Sequence, residues 1–479
     1  LQQATGNAKQ VVIVGGGIVG LATAYYLQQK ARRAGWPLNY SLIESSPTFG
    51  GKIVTEKTGG FIIEGGPDSF YNQKPEALRL CRELGMDDRL LGTNDDQRKV
   101  YVLDGGKLRP LPDGVMLIVP TKFAPFALSP LISLPGKMRM GLDLFIPRRD
   151  EGGDESMADF IRRRLGREAL DKIAEPLMAG IHVADPERLS MESAFPRFIA
   201  LEQKHGSLIK GMLAQKARMA TRKREGDGRN PSLFMTLRGG LYELAEALVA
   251  RLEGQLLPAT RVVGLERGAR YRLRLGDGQT LLADAVILTT PSYVAADLVE
   301  PLHPALATKL RAIEYVSSAT VSLGFRRAEF EHPLDGFGFV VSARDKSRLM
   351  ACTWTSTKFD GRAPHEHVLV RGFVGGHRHE SLVDLPDEEL IRLVRDELRS
   401  VMGVSARPVV ARVYRWPQAN PQYDVGHLER VGEIESLAAA LPGLYLTGSS
   451  YRGVGIPDCI RQGQETAEAV IAAGYGDRG

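Results

Sequence analysis

Gly15, Gly17 and Gly20 stand at G-x-G-x-x-G spacing within Gln10–Leu27, QVVIVGGGIVGLATAYYL. An apolar β-branched run precedes them and an Ala-rich helical pattern follows, the context that gives the spacing chemical meaning. Gly15 permits a tight turn, Gly17 lets backbone N–H groups approach a pyrophosphate, and Gly20 lets the helix lie close to the strand. The helix N-terminus then faces the anion, with Gly16, Ile18 and Val19 filling the same turn. By itself the pattern also suits an ordinary glycine-rich turn. Glu44 narrows the choice. It lies 24 positions after Gly20, ending the strand-like NYSLIE. A carboxylate there accepts the hydroxyl protons of an adenosine ribose and repels a 2′-phosphate.

Further glycines follow in FGGKI (Phe49–Ile53), GGF (Gly59–Phe61) and EGGPDSF (Glu64–Phe70). Such turns bring backbone close to something flat or anionic, or simply make hairpins. Other chemistries have little support. The nine histidines include the pairs His365/His367 and His377/His379, placed in a sheet hairpin without an H-E-x-x-H pattern. No metal site is expected. Cys81, Cys352 and Cys459 are far apart with no C-x-x-C, which argues against disulfides and zinc. Packing is the expected role of Cys459. There is no G-x-S-x-G.

These residues need a scaffold of several units. At 479 residues the chain has room for about three domains, and 43% hydrophobic residues suffice for large cores. A net charge of +5 is too mild to argue for nucleic acid. Val19 to about Ala34 reads as the helix of a βαβ start. Leu78–Leu84 reads as another helix, ending at Gly85. Gly114–Leu134 is very apolar, but Pro120, Pro125, Pro130 and Lys122 interrupt it, against a spanning helix. A monotopic surface and the lining of an internal cleft both fit its pattern. Met-, Leu- and Arg-rich helices continue to about Arg224, and Gln203–Arg224 holds seven basic residues and no acidic one. That run is a solvated face or a site for anionic lipid or an acidic partner.

Strand character returns after Phe234, which opens a turn into a helix. Leu256–Val263 and Tyr271–Leu275 pair around a Gly276-Asp277-Gly278 turn, and Ala285–Pro291 is buried. Val316–Phe325, Gly336–Val341 and His367–Val374 suggest an antiparallel sheet. A helix covers Glu388–Val401, and another runs from about Ile460 to Ala473. The first apolar run already belongs to the strand–glycine unit, so no signal peptide is expected, and a reducing, cytoplasmic setting suits the cysteines.

Several longer motifs are more specific: Gly66-Pro67-Asp68-Ser69, Ile181–Ser190 (IHVADPERLS), Lys204–Ser207, Trp416–Tyr423 (WPQANPQY) and Gly453–Cys459 (GVGIPDC). With the glycine turn, Glu44 and FGGKI they resemble FAD-dependent porphyrinogen oxidases. These are the protoporphyrinogen and coproporphyrinogen III oxidases, within the amine-oxidase-like flavoproteins. The resemblance runs from about Val11 to Val470. It implies an α/β plus α+β fold: a Rossmann-type FAD-binding domain in discontinuous segments (1–100, 226–300, 421–479), an inserted helical lobe (101–225) and an antiparallel-sheet substrate domain (301–420).

The resemblance also implies roles. Gly15 to Gly20 would cradle the FAD pyrophosphate, with Glu44 on the ribose and Ser45 beside it. Lys52 stands where the family often has Arg, so only part of that contact carries over. Gly66, Pro67, Asp68 and Ser69 would pass along the flavin and its ribityl chain. Val262 sits in a T-x-V pattern whose backbone meets the adenine. Trp416 and Val454, Gly455 and Ile456 would close the flavin from the C-terminal side, where a helix N-terminus stabilises charge on the reduced ring. Arg98 would meet a substrate carboxylate, or is simply an exposed arginine, and Gly180 and Ile181 would line the cleft or a core.

The implied reaction is a six-electron oxidation of a porphyrinogen in haem synthesis, using O2 and releasing H2O2, without a dedicated acid–base side chain. A second dinucleotide motif for NAD(P)H is absent from the sequence. Coproporphyrinogen III and protoporphyrinogen IX both remain open as substrate. Expected partners beyond these are a peripheral membrane surface and a downstream haem-pathway enzyme. Competing readings are an amine oxidase, a carotenoid desaturase, or an escort protein of related fold without redox chemistry.

Overall fold

The computed structural model describes residues 8–112, 115–116, 119–120, 123–149, 152–225 and 232–475. Within the apolar stretch Gly114–Leu134, positions 114, 117, 118, 121 and 122 lie outside the described residues.

A five-stranded parallel sheet carries the N-terminal motif. Its spatial order is Gln255–Leu257, Leu38–Ile43, Lys9–Val14, Ala285–Leu288 and Leu444–Leu446. Lys9–Val14 is therefore central, and covering both faces of it requires an uninterrupted apolar run. Alternate residues serve two cores. Val11 and Ile13 pack with Leu21, Leu27 and Ile460, while Val12 and Val14 pack with Leu273, Leu298 and Ile434.

The helix Ile18–Ala34 follows the glycine turn and ends at Gly35 in the left-handed conformation. It packs on the terminal helix Ile456–Tyr475, where a Cβ at Gly463 would stand 3.0 Å from the Val19 carbonyl oxygen. That terminal helix starts four residues earlier than the periodicity predicts. Pro457 explains the difference, since a first-turn proline lacks only an N–H that has no helical partner.

The second sheet has seven strands in the order Val410–Pro421, Tyr315–Arg326, His367–Gly375, Leu349–Thr353, Gly338–Val341, Val100–Asp104, Lys107–Pro110. All its pairings are antiparallel except Gly338–Val341 with Val100–Asp104. Val410–Pro421 is not among the strands the alternation predicts. It lies at the sheet's edge, where Pro417 and Pro421 are tolerated. His377 and His379 fall on the short helix Gly376–His379 and not in a hairpin. Gly375 (φ 98°) and Gly376 (φ 69°) turn the chain out of the sheet there.

Between these sheets in sequence lies a lobe of helices, including Met157–Arg164, Glu175–His182, Pro196–His205 and Leu208–Glu225. Phe160, Ile173, Phe198 and Leu201 form its core. Fully buried Arg164 donates to Asp143 Oδ1 (2.6 Å). Asp143 Oδ2 accepts from Ser207 Oγ (2.6 Å) and the Ile209 N–H (2.9 Å), anchoring the start of the basic helix. Among the described residues, no helix is long and apolar enough to cross a membrane.

Candidate functional site

The glycine turn is shaped by backbone contacts that leave no room for side chains. Gly15 has φ +109°, and a Cβ there would lie 2.5 Å from Thr289 Oγ1. A Cβ on Gly20 would lie 1.9 Å from the Gly15 carbonyl oxygen. Gly17 caps the helix without a side chain, so its first turn, Ile18 and Val19 included, opens toward the strand ends. Glu44 is 9% exposed at the end of the neighbouring strand. Its Oε2 accepts from the Gly16 N–H at 2.7 Å, and its Oε1 from the Ser46 N–H at 2.7 Å and Ser45 Oγ at 3.2 Å. The Thr260 N–H donates to the Glu44 carbonyl at 2.8 Å, which brings the segment leading into Val262 beside this carboxylate.

Two more glycine turns meet this cradle. Gly17 and Gly50 form a parallel bridge, and Gly51 (φ +58°) lies against Gly17. A Cβ on Gly66 would stand 1.7 Å from the Lys52 carbonyl oxygen, so the two loops touch backbone to backbone. The Lys52 ammonium donates to the Ala419 carbonyl. The side chain keeps contact with solvent, and the protein packed around it lowers its pKa by desolvation.

The seven-stranded sheet supports the Gly65–Ser69 loop from the other side. The Gly65 carbonyl accepts from Trp416 Nε1 (2.9 Å), Thr320 Oγ1 (3.1 Å) and Arg371 Nη2 (3.1 Å). Arg371 Nη2 also reaches the Gly66 carbonyl at 2.5 Å. After Pro67, Asp68 accepts from Ser69 Oγ (2.6 Å) and pairs with Lys358 Nζ at 2.9 and 3.1 Å. Burial pushes the Asp68 carboxyl up, but Lys358 and Arg371 outweigh it and hold the pKa down at about 2.

The C-terminal motif closes the arrangement. Val454 packs against the core of the helical lobe and Ile456 against the core of the parallel sheet, so Val454-Gly455-Ile456 bridges the two. Tyr423 OH accepts from the Gly453 N–H (2.9 Å) and donates to the Ser449 carbonyl (2.7 Å). Asp458 pairs with Lys74 at 2.6 Å. Cys459 is buried with its thiol pushed up to about 12 by burial, and its Sγ lies 3.8 Å from the Val454 carbonyl. A neutral, enclosed thiol is a packing group.

The substrate-side expectations are spread more widely. Arg98 is 58% exposed and pairs with Asp95 on a turn before the Val100–Asp104 strand. The neighbouring Asn94 N–H donates to the Lys358 carbonyl at 2.9 Å, so this turn abuts the Asp68–Lys358 pair. Gly180 and Ile181 lie on the helix Glu175–His182, with side-chain surroundings outside the described residues. Beyond that helix, Val183 takes a left-handed φ of 56°. Sequence reasoning missed Arg371, Lys358 and Thr320. Each sits in a strand-like or turn context indistinguishable from dozens of others, and only pairing across some 255 to 306 positions reveals them.

The profile of the family described as flavin containing amine oxidoreductase matches residues 18–471. A coproporphyrinogen III oxidase of Bacillus subtilis is 41% identical over 459 residues, 95% of this chain and 96% of that protein. Protoporphyrinogen oxidase 1 of Arabidopsis thaliana is 32% identical, covering 95% of this chain and 87% of that protein. The chain belongs to the porphyrinogen oxidase branch of the flavin containing amine oxidoreductases. Among solved structures, a putative protoporphyrinogen oxidase from Exiguobacterium superposes with TM-score 0.85 at 33% identity, covering 97% of this chain and 99% of that one. Putrescine oxidase superposes with TM-score 0.68 at 17% identity and shares the fold. As a member of this flavin family the protein uses FAD, and its residues fit the group. A dinucleotide needs a side-chain-free turn at a helix N-terminus and a carboxylate at the next strand end, and this oxidoreductase has both.

Proposed function

We propose that this flavoprotein oxidises a porphyrinogen to the porphyrin, with coproporphyrinogen III preferred and protoporphyrinogen IX also accepted. The observation carrying this reading is similarity over 95–97% of this chain to relatives named for these substrates, coproporphyrinogen III oxidases at 34–41% identity and a protoporphyrinogen oxidase at 32%. Bound FAD supplies a two-electron acceptor. Three such oxidations remove six hydrogens from the macrocycle, and three O2 take them up as three H2O2. In this reading Gly15–Gly20, Glu44, Ser45 and Val262 hold the dinucleotide. Lys52, Gly66–Ser69, Trp416 and Val454–Ile456 enclose its reactive end.

The protein's contribution is placement and exclusion of water. In this reading Gly180 and Ile181, on the helix Glu175–His182, line the cleft beside the flavin. Arg98 exchanges its local Asp95 partner for a substrate propionate, a pairing suited to the planar guanidinium. Four propionates on coproporphyrinogen III offer more such contacts than two on protoporphyrinogen IX.

Under air, followed by porphyrin fluorescence, kcat/KM is expected to be higher for coproporphyrinogen III, with three H2O2 per porphyrin. Failure to oxidise either substrate rejects the function. Arg98→Ala is expected to raise KM about tenfold with a smaller change in kcat. Unchanged kinetics removes Arg98 from the site.

We also propose peripheral membrane contact through the helical lobe. Leu128, Leu134, Met138, Leu142 and Phe145 are exposed within one short stretch of it. Patches of that kind mark association surfaces. The protein should co-sediment with vesicles containing phosphatidylglycerol. Absence of sedimentation at low salt discards the contact.

A further inference from the structure

Arg371 is 3% exposed, yet the structure gives it no carboxylate within ion-pair distance among the described residues. Its hydrogen bonds go to the Gly65 and Gly66 carbonyls, its guanidinium lies 4.8 Å over the Phe373 ring, and its buried Nε has no partner. Burying a guanidinium this way costs several kcal/mol unless surrounding dipoles and charges compensate. Sequence position offers no simpler structural reason. Its neighbours along the strand, Val370 and Gly372, are ordinary core positions facing the other way.

What Arg371 grips is more telling. The Gly65–Gly66 peptides have no side chains of their own to fix them, and Gly66 must stay within reach of the Lys52 carbonyl. Trp416 Nε1 and Thr320 Oγ1 add two neutral donors to the carbonyl that Arg371 also holds. Asp68, two residues beyond Gly66, feels the Arg371 charge as well as that of Lys358. One buried cation thus contributes to both the conformation and the electrostatics of this loop. A positive charge fixed in a water-poor wall favours addition of electrons to whatever acceptor the wall holds.

We infer that Arg371 is a positioning residue for FAD: it clamps the Gly65–Gly66 peptides against the cofactor and raises the cofactor's reduction potential. The inference rests on the reading that Gly66–Ser69 line the flavin. It does not depend on which substrate is oxidised, so its test uses cofactor affinity and potential, with porphyrinogen turnover measured separately.

The experiment compares the wild type with Arg371→Gln, Arg371→Lys and Trp416→Phe. FAD affinity is read by titrating apoprotein, the midpoint potential by dye equilibration, and stability by unfolding of the apo form. Arg371→Gln is expected to weaken FAD binding at least tenfold and to shift the potential negative by about 30 mV, a tenfold change for a two-electron couple. Arg371→Lys should keep the potential near the wild-type value while losing part of the affinity. Trp416→Phe removes a neutral donor to the same carbonyl and should weaken binding with little change in potential. A merely structural arginine would lower apoprotein stability and leave affinity and potential of the refolded holoenzyme unchanged, and that result overturns the inference. If Arg371→Gln fails to fold, the other two variants decide: wild-type FAD affinity in both rejects the clamp. Loss of porphyrinogen oxidation with these cofactor effects intact would instead count against the proposed substrate.

Discussion

Gly20→Ala yields a protein that no longer retains FAD through purification. The added Cβ would sit 1.9 Å from the Gly15 carbonyl oxygen, far inside contact distance, and 3.1 Å from the Gly15 carbonyl carbon and Thr289 Oγ1. Its nearest neighbour is backbone and cannot rotate away. Either the helix Ile18–Ala34 lifts from the turn or the Gly15 peptide shifts, and both displace the groups proposed to face the pyrophosphate. Overpacking of this kind costs about 1–3 kcal/mol. Charged to cofactor binding, that is roughly tenfold to hundredfold in Kd. Flavin absorbance per protein and titration of the apo form read the effect. Gly432→Ala serves as control, since nothing lies within 4 Å of its Cβ position on a helix and alanine favours helices. FAD affinity unchanged by Gly20→Ala would take this turn out of the cofactor site.

Lys358→Ala is expected to destabilise the fold by about 3 kcal/mol, near the lower end for breaking a buried pair because both side chains keep some exposure. The variant leaves the Asp68 carboxylate enclosed without its nearest cation. The loss has a pH signature. In the wild type Asp68 is held at about 2, below its ordinary 3.8. Its stabilising contribution is therefore complete above about pH 4 and disappears as pH falls toward 2. Without Lys358 that part of the acid dependence flattens, and urea unfolding at pH 7 and pH 3 compares the two proteins directly. The double variant Asp68→Asn/Lys358→Ala should recover much of the loss. Equal stability of Lys358→Ala and wild type at pH 7 would show the pair to be energetically idle.

The cofactor half was legible because its demands are local. A turn that admits no Cβ, a strand buried on both faces and a helix starting at Ile18 each leave a mark within ten residues of Gly15. Glu44 is read almost as easily, since one βαβ unit fixes its distance from the turn. The second sheet was legible only in part. The strand alternation in Val316–Phe325 is plain, but nothing near Val100–Asp104 says that it pairs in parallel with Gly338–Val341. Val410–Pro421 hides behind two prolines that only an edge position permits. Arg371 and Lys358 were invisible for a different reason: their partners are a carbonyl pair and a carboxylate about 300 positions away. A basic residue in a strand or beside a turn carries no mark of such a partner.

The order of the parallel sheet has a consequence for how this chain is made. Its central strand, Lys9–Val14, must wait for Ala285–Leu288 on one side. The edge strand beyond it, Leu444–Leu446, is separated from it by a further stretch of more than 150 positions. The helix Ile456–Tyr475, which packs on Ile18–Ala34, comes later still. Contacts of such long sequence separation form slowly. The dinucleotide cradle is therefore begun by Lys9–Val14 and completed only by elements more than 400 positions later, and until those are made the middle of that sheet stays partly unsheltered.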